Sequence, residues 1–260
     1  MLNTIFHELR DTLRLWRLAA FISASDTRAR YRRTVLGPLW IVIGLASGSL
    51  GLGLLWSELW NMPPEQIVPS ITIGFLVWIF ISSTILEGSQ ILIIEANMIQ
   101  NTRAPLLFYS LVTLTKQWIN FLHSLLIVLA VSALYPPTSL SNIIWVFPGL
   151  LVTTLFLFFS VSLLSILCAR FRDIQPLLNS IMPMLFFLSP VLFRIEQAKN
   201  ISWLIWINPF TYFIIIVREP LQGSRPEPFV MLAACGLTLL VFMFLAAVLN
   251  RKKNQVVYWV

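Results

Sequence analysis

The chain has 260 residues, of which 58% are hydrophobic and 11% charged, against roughly one-quarter charged in a soluble globular domain. That balance excludes a soluble fold. The net charge of +7 does not point to nucleic acid, because most Lys and Arg adjoin apolar runs, where anionic lipid headgroups attract them.

Residues 1–33 carry seven arginines and no long apolar run, so they do not read as a signal peptide. Over residues 1–20, Leu2, Ile5, Phe6, Leu9, Leu13 and Trp16 recur at spacings of three and four, with Arg10, Arg14 and Arg17 interleaved. This pattern predicts an amphipathic helix lying on the cytoplasmic headgroups.

No Asp, Glu, Lys or Arg occurs between Thr34 and Ser57, between Gln66 and Leu86, or from Gln117 through Ala169, and about 20 apolar residues suffice for a span. Spans are predicted at 36–56, 66–86, 117–135, 143–169, 174–193 and 228–249. A seventh apolar run, Asn200 to Val217, is broken by Asn208-Pro209, since proline removes a hydrogen bond and restricts its predecessor.

Six crossings put both termini on the cytoplasmic side, leaving 14 Lys and Arg inside and four outside, as the positive-inside rule requires. The broken run then becomes a pair of re-entrant helices in the outer mouth, with Trp203, Trp206, Asn208 and Pro209 at the gate. The expected fold is all-α and integral to the membrane, a single domain over 1–260. It comprises a cytoplasmic interface helix in 1–33, five spans within 34–193, a periplasmic gate segment at 194–227, a sixth span at 228–249 and a cytoplasmic tail at 250–260.

Chemistry-bearing clusters are few. His7 lies in the amphipathic helix and His123 is isolated in the third span, with no carboxylate pair or ligand spacing around either, so both read as structural. Cys168 and Cys235 sit inside apolar runs without a CxxC pair and read as small core residues. The Asn200-Ile201-Ser202 triplet is read as a chance sequon. No GxxxxGK[ST] occurs, so the phosphate-cradling loop of an ATPase is missing. Gly44, Gly48 and Gly51 share one face of the first span, as a small-residue packing seam or as a smooth strip beside a substrate path.

Glu87, with Ser83 and Gln90 on the same face, would need a nearby arginine or Lys116 as a partner at the membrane edge. Pro176, Pro183 and Pro190 recur every seven residues in the fifth span; each would free a carbonyl, which suits a helix beside a cavity or one kinked for packing. Trp40, Trp56, Trp60, Trp118, Trp145, Trp203 and Trp206 fall near predicted span ends, as an aromatic belt requires. Trp78, Phe80, Phe186 and Phe187 fall mid-span, where rings can stack on sugars or face lipid.

Two segments carry a resemblance: Arg30-Tyr31-Arg32-Arg33-Thr34-Val35-Leu36-Gly37-Pro38-Leu39-Trp40, and Ala169-Arg170-Phe171-Arg172-Asp173-Ile174 leading into the proline-rich span. They resemble the permease subunits of the ABC-2 type polysaccharide exporters, the family of the O-antigen permeases and their capsule and teichoic-acid relatives. The resemblance covers nearly the whole chain. It implies a homodimer in the bacterial inner membrane, bound to two copies of a cytoplasmic ABC ATPase that holds the ATP and Mg, with no cofactor in this chain. Its cargo would be polysaccharide on an undecaprenyl diphosphate carrier.

The resemblance also implies site residues. Met98, Ile99, Gln100, Asn101, Thr102 and Arg103 would form the coupling helix against the ATPase. Arg28, Arg30, Arg32 and Arg33 would meet the ATPase or the carrier diphosphate. Trp40, Gly44, Gly48, Gly51, Pro183, Phe186, Phe187 and Pro190 would line the channel. A permease for a small lipid or drug, or a membrane enzyme of glycan assembly, remain the competing readings.

Overall fold

The computed structural model describes residues 2–102, 104–136, 141–193, 202–256 and 258–259, and among them every regular element is helical. The basic N-terminal segment forms two helices, α1 (Leu2–Arg14) and α2 (Trp16–Tyr31), separated at Leu15. The apolar strip expected to face lipid is divided. Ile5 is buried with Glu8 and Thr12, whereas Phe6, Leu13 and Trp16 are exposed beside Arg10 and Arg14. The division follows from packing: α1 lies against the helices formed by residues 106–134 and 228–256, and only one edge of its apolar face meets them.

Positive φ at Gly37 and the Pro38 N-cap lead into α3 (Leu39–Trp60), which stops where Asn61 turns left-handed. Pro63 and Pro64 open α4 (Pro64–Ser89). Proline fits a helix start because its missing N–H would be unpaired there anyway. Two short helices, α5 (Ile91–Ile94) and α6 (Ala96–Asn101), precede α7 (Leu106–Leu134). A 3₁₀ turn at Ile143–Trp145 runs into α8 (Val146–Arg170). Then come α9 (Ile174–Phe187), α10 (Ser202–Ile207), α11 (Pro209–Leu221) and α12 (Pro228–Val256).

Among the described residues five helical stretches are long and apolar enough to cross a membrane: Leu39–Trp60, Pro64–Ser89, Leu106–Leu134, Ile143–Arg170 and Pro228–Lys253. The third begins well before the expected residue 117, because Lys116 is neutralised inside the helix instead of ending it. Trp118 is therefore a mid-helix residue packed on Phe80 and Phe121, not part of a terminal belt. The expected fifth span contains only the 14 helical residues of α9, which reach about 21 Å, short of a hydrocarbon core of about 30 Å. Residues 188–193 continue it as turns.

This changes the meaning of the three prolines. Pro176 occupies the first turn of α9, where a missing N–H costs little, Pro183 lies inside the helix, and buried Pro190 follows its end. Only Pro183 breaks an interior helical bond.

The most enclosed helix is α4, buried at Ile67 and Val68, through Ser70–Gly74 and through Leu76–Ile81 apart from Ile79, with α3, α7, α8, α9 and α11 around it. On α3, the seam against α4 is Leu45, Ser49, Gly53 and Ser57; a Cβ on Gly53 would come within 3.2 Å of the Val68 Cα. Gly44 and Gly51 do not form that seam, since nothing lies within 4 Å of where their Cβ atoms would be, and Gly48 touches only the Phe75 ring. Between α8 and α11 the backbones nearly meet: a Cβ on Gly149 would be 2.5 Å from the Ile216 carbonyl oxygen.

Both chain ends gather at one end of the bundle, the basic end. Thr4 Oγ1 donates to Asn250 Oδ1 at 3.1 Å, Lys253 Nζ is 2.5 Å from Glu8 Oε1, and Arg170 stacks over the Trp259 ring at 5.3 Å.

Candidate functional site

The basic end holds a group of charges around a cavity of about 530 Å³. Glu87 Oε2 accepts from Lys116 Nζ at 2.7 Å and pairs with Arg30 Nη2 at 3.7 Å. The partner expected for Glu87 is thus Lys116, with Arg30 added. The Ser83 hydroxyl donates to Gln117 Oε1 at 3.1 Å, and Gln90 lines the cavity with Asp26 and Glu95. Oppositely charged groups held in one partly enclosed space offset the cost of keeping a carboxylate at the membrane edge.

The arginines of the expected patch have different surroundings. All four arginines are exposed, and among them Arg30 turns towards Glu87. Arg32 is the C-cap of α2 and Arg33 adopts a left-handed φ of 73°, so the chain reverses here and directs successive arginines differently.

The segment expected to act as the coupling helix is helical as α6 up to Asn101, with Thr102 as its C-cap. Ile99 is buried, Met98 lines the cavity, and Gln100, Asn101 and Thr102 are exposed, while Arg103 lies outside the described residues. Thr102 Oγ1 is 3.4 Å from the Tyr109 hydroxyl, which ties the end of α6 to the first turns of α7. One small helix therefore presents polar side chains outward and closes the charged cavity from within.

The residues expected to line a channel divide. Trp40, Gly44, Gly51, Pro183 and Phe187 are exposed along α3 and α9. Phe186 is half-buried in an aromatic cluster, 5.5 Å from Phe75 and 5.6 Å from Trp78, which in turn meets Phe210 at 5.9 Å. Pro190 is buried, so it lines no open path in this chain. Phe75 stands between Gly48 and Phe186, and in this way α4 carries α3 and α9 side by side.

Beside this aromatic cluster, Asn208 and Pro209 break the apolar run as expected. The Asn208 side chain accepts from the Phe210 N–H at 3.0 Å and caps α11, the usual role of Asn at such a position. Phe210 and Phe213 through Arg218 are buried, so protein encloses the interrupted backbone, the condition under which such a segment is tolerated at membrane depth. Trp203 is exposed, and Trp206 packs on Tyr212, whose hydroxyl donates to the Trp206 carbonyl at 2.9 Å.

Three features escaped the sequence reading. Glu8, with a side chain 4% exposed, pairs with Lys253 and accepts from the Leu106 N–H at 3.0 Å, joining the first, seventh and last helices. Its signal was one acid on the same helical face as Ile5 and Thr12. Arg218 and Ser189 carry contacts described below, and a lone arginine next to an apolar run was the hint for the first. Cys168 is buried, but Cys235 is exposed on α12 and is not a core residue. His7 is exposed, and His123 Nδ1 lies 2.7 Å from the Ile119 carbonyl.

Helices of this length and apolarity make the chain a multi-pass membrane protein. It belongs to the ABC-2 type transporter family, whose profile matches residues 19–221. The match begins inside α2 and ends with α11, so it takes in the arginine segment, the charged cavity, α6 and the broken segment. Membership makes this a transporter component rather than an enzyme and implies work with an ABC ATPase. The chain is 22% identical over 211 residues to the O-antigen export system permease protein RfbA of Klebsiella pneumoniae, covering 79% of this chain and 80% of that one. It is 25% identical over 226 residues to the protein of the same name from Myxococcus xanthus, covering 83% and 85%.

Proposed function

We propose that this chain is the membrane-spanning permease subunit of an ATP-driven exporter that moves undecaprenyl-diphosphate-linked polysaccharide, specifically O-antigen, across the bacterial cytoplasmic membrane. The observation that carries this reading is likeness to O-antigen export permeases over about four-fifths of both chains. Two copies would pair, with the exposed faces of α3 and α9 turned to a shared path, and two ATPase copies would engage α6 and the exposed arginines. ATP and Mg belong to the ATPase.

A homodimer is supported by the open positions at Gly44 and Gly51, where nothing among the described residues lies within 4 Å of an added Cβ. Capsule or teichoic-acid polymers would use the same carrier chemistry. The purified chain alone should release no phosphate from ATP, and deleting it should remove the glycan from the cell surface until the intact gene is returned. ATPase activity persisting after rigorous removal of partner proteins, or surface glycan unaffected by the deletion, would defeat the reading.

We also infer six crossings, with the fifth made by α9 and the turns after it, both termini cytoplasmic, and α10–α11 dipping back from the periplasmic side. The gathering of both chain ends at the basic end supports an even number. Cysteines replacing Lys199, which lies outside the described residues, and Gln222 should both react with a membrane-impermeant thiol reagent applied from outside. Reaction of one from outside and the other only from inside would require a seventh crossing.

A further inference from the structure

We propose that Asn208 and Arg218 are positioning residues that lock the α10–α11 segment to the broken end of α9, so that the two move as one unit. For its consequence in transport this rests on the export reading, but the lock itself stands on local geometry.

The end of α9 leaves backbone acceptors without helical donors. The Ser189 N–H bonds the Phe186 carbonyl at 3.1 Å instead of continuing the helical pattern to Leu185, and Pro190 has no N–H to give. Acceptors inside an apolar bundle must find donors, because each unsatisfied one costs several kcal/mol in the absence of water.

The donors come from one neighbouring element. Asn208 Nδ2 reaches the Leu185 carbonyl at 3.1 Å and the Ser189 hydroxyl at 2.8 Å. The Ser189 hydroxyl itself donates to the Leu185 carbonyl at 2.6 Å. Arg218 Nη1 donates to the Pro190 carbonyl and, at 3.4 Å, to that of Phe193. Asn208 is 2% exposed and Arg218 4%, so water does not compete for these bonds. An arginine buried this deeply is rare unless it has a defined task.

The two attachments lie at opposite ends of α11, ten residues apart and so about 15 Å along the helix. Attachment at a single point would let the end of α9 pivot on α11, which is itself packed on α4, α8 and α12; two points fix its direction as well. Gly74 makes room for the arrangement, since a Cβ there would come within 3.2 Å of the Val191 backbone. Elsewhere α9 is held to α4, at its start by Gln175, which accepts from the Ser89 hydroxyl and donates to the Leu86 carbonyl at 3.4 Å, and near its end by Phe186 on Phe75 and Trp78, while its other face is open. Within the helix only Met182 is buried, while Ile181, Met184 and Phe187 are exposed. A shift of the end of α9 during transport would therefore act on both attachments at once, and α9 and α10–α11 would move together or not at all.

Asn208 allows the lock to be separated from folding. Its Oδ1 caps α11 while its Nδ2 reaches α9, and serine is about as good a cap as asparagine but too short to make the second contact. The test uses the full chain in lipid nanodiscs, with Cys235→Ser and a reporter Val191→Cys at a site 0% exposed. Native Cys168, also 0% exposed and at the basic end, is the internal control. A polar maleimide labels each thiol during local opening, and peptide mass spectrometry reads both.

Asn208→Ser should raise labelling at position 191 about five- to tenfold, the effect of losing buried hydrogen bonds, with Cys168 unchanged. Arg218→Met should raise it further, and Arg218→Lys, which keeps a donor, should fall between. Should Arg218→Met fail to fold, the Asn208→Ser comparison decides alone. Unchanged labelling in Asn208→Ser, or a parallel rise at Cys168, overturns the proposal. Surface glycan that survives deletion of the chain would sink the export reading and leave the labelling result standing.

Discussion

Replacing Arg28, Arg32 and Arg33 together with Gln should stop glycan from reaching the cell surface while the protein stays in the membrane. These three side chains are exposed at the basic end, and none of them takes part in the Glu87 pair. Arginine donates two parallel hydrogen bonds to an oxyanion, which suits a carrier diphosphate or an acidic edge of the ATPase. A charged hydrogen bond contributes about 1.5–3 kcal/mol, so losing two or more lowers affinity by about a hundredfold or beyond. Arg30→Gln alone should act differently, with a smaller loss, because Lys116 continues to hold Glu87 at 2.7 Å. Quantitative surface staining of the glycan, set against the amount of membrane-inserted protein, separates these outcomes. Normal export in the triple variant would leave the arginines with a topological role only.

Lys253→Met should destabilise the folded chain more than Lys116→Met does. The two lysines each hold a carboxylate, but Glu8 has a side chain 4% exposed and Glu87 one 38% exposed. Removing the partner of a buried charge leaves that charge uncompensated, at a cost of about 3–5 kcal/mol. Water and Arg30 reduce the corresponding loss at Glu87 to about 1 kcal/mol. Thermal unfolding of the detergent-solubilised protein, followed by loss of the monodisperse species, should show the larger shift for Lys253→Met. Adding Glu8→Gln to Lys253→Met should recover much of the loss, as a pairwise interaction requires. Equal shifts for both lysines would mean that burial of the carboxylate does not set the cost.

Membrane residence, the helical periodicity of the N-terminal segment, the break at Asn208-Pro209 and the need of Glu87 for a cation were all legible in the amino-acid sequence. Each depends on a quantity that residues carry locally: the transfer free energy of a run of side chains, the periodicity of a helix, the missing N–H of proline, or the cost of a lone carboxylate in an apolar run. Partners and faces were not legible, because they depend on which helices become neighbours. Hydropathy ended the third span at Lys116, yet the helix continues back to Leu106 because Glu87 neutralises that lysine from another helix.

Three glycines on one face suggested a packing seam, but α4 chose the adjacent face of α3, through Ser49, Gly53 and Ser57. Three prolines seven apart looked equivalent until the ends of α9 gave each a different environment. Glu8 and Lys253, near opposite termini, carried no mutual signal, and only the meeting of α1 with α12 made them a pair. Side-chain chemistry determined that these segments must enter the membrane. The tertiary structure decided which polar groups would satisfy one another there, because that depends on distances a linear pattern does not contain.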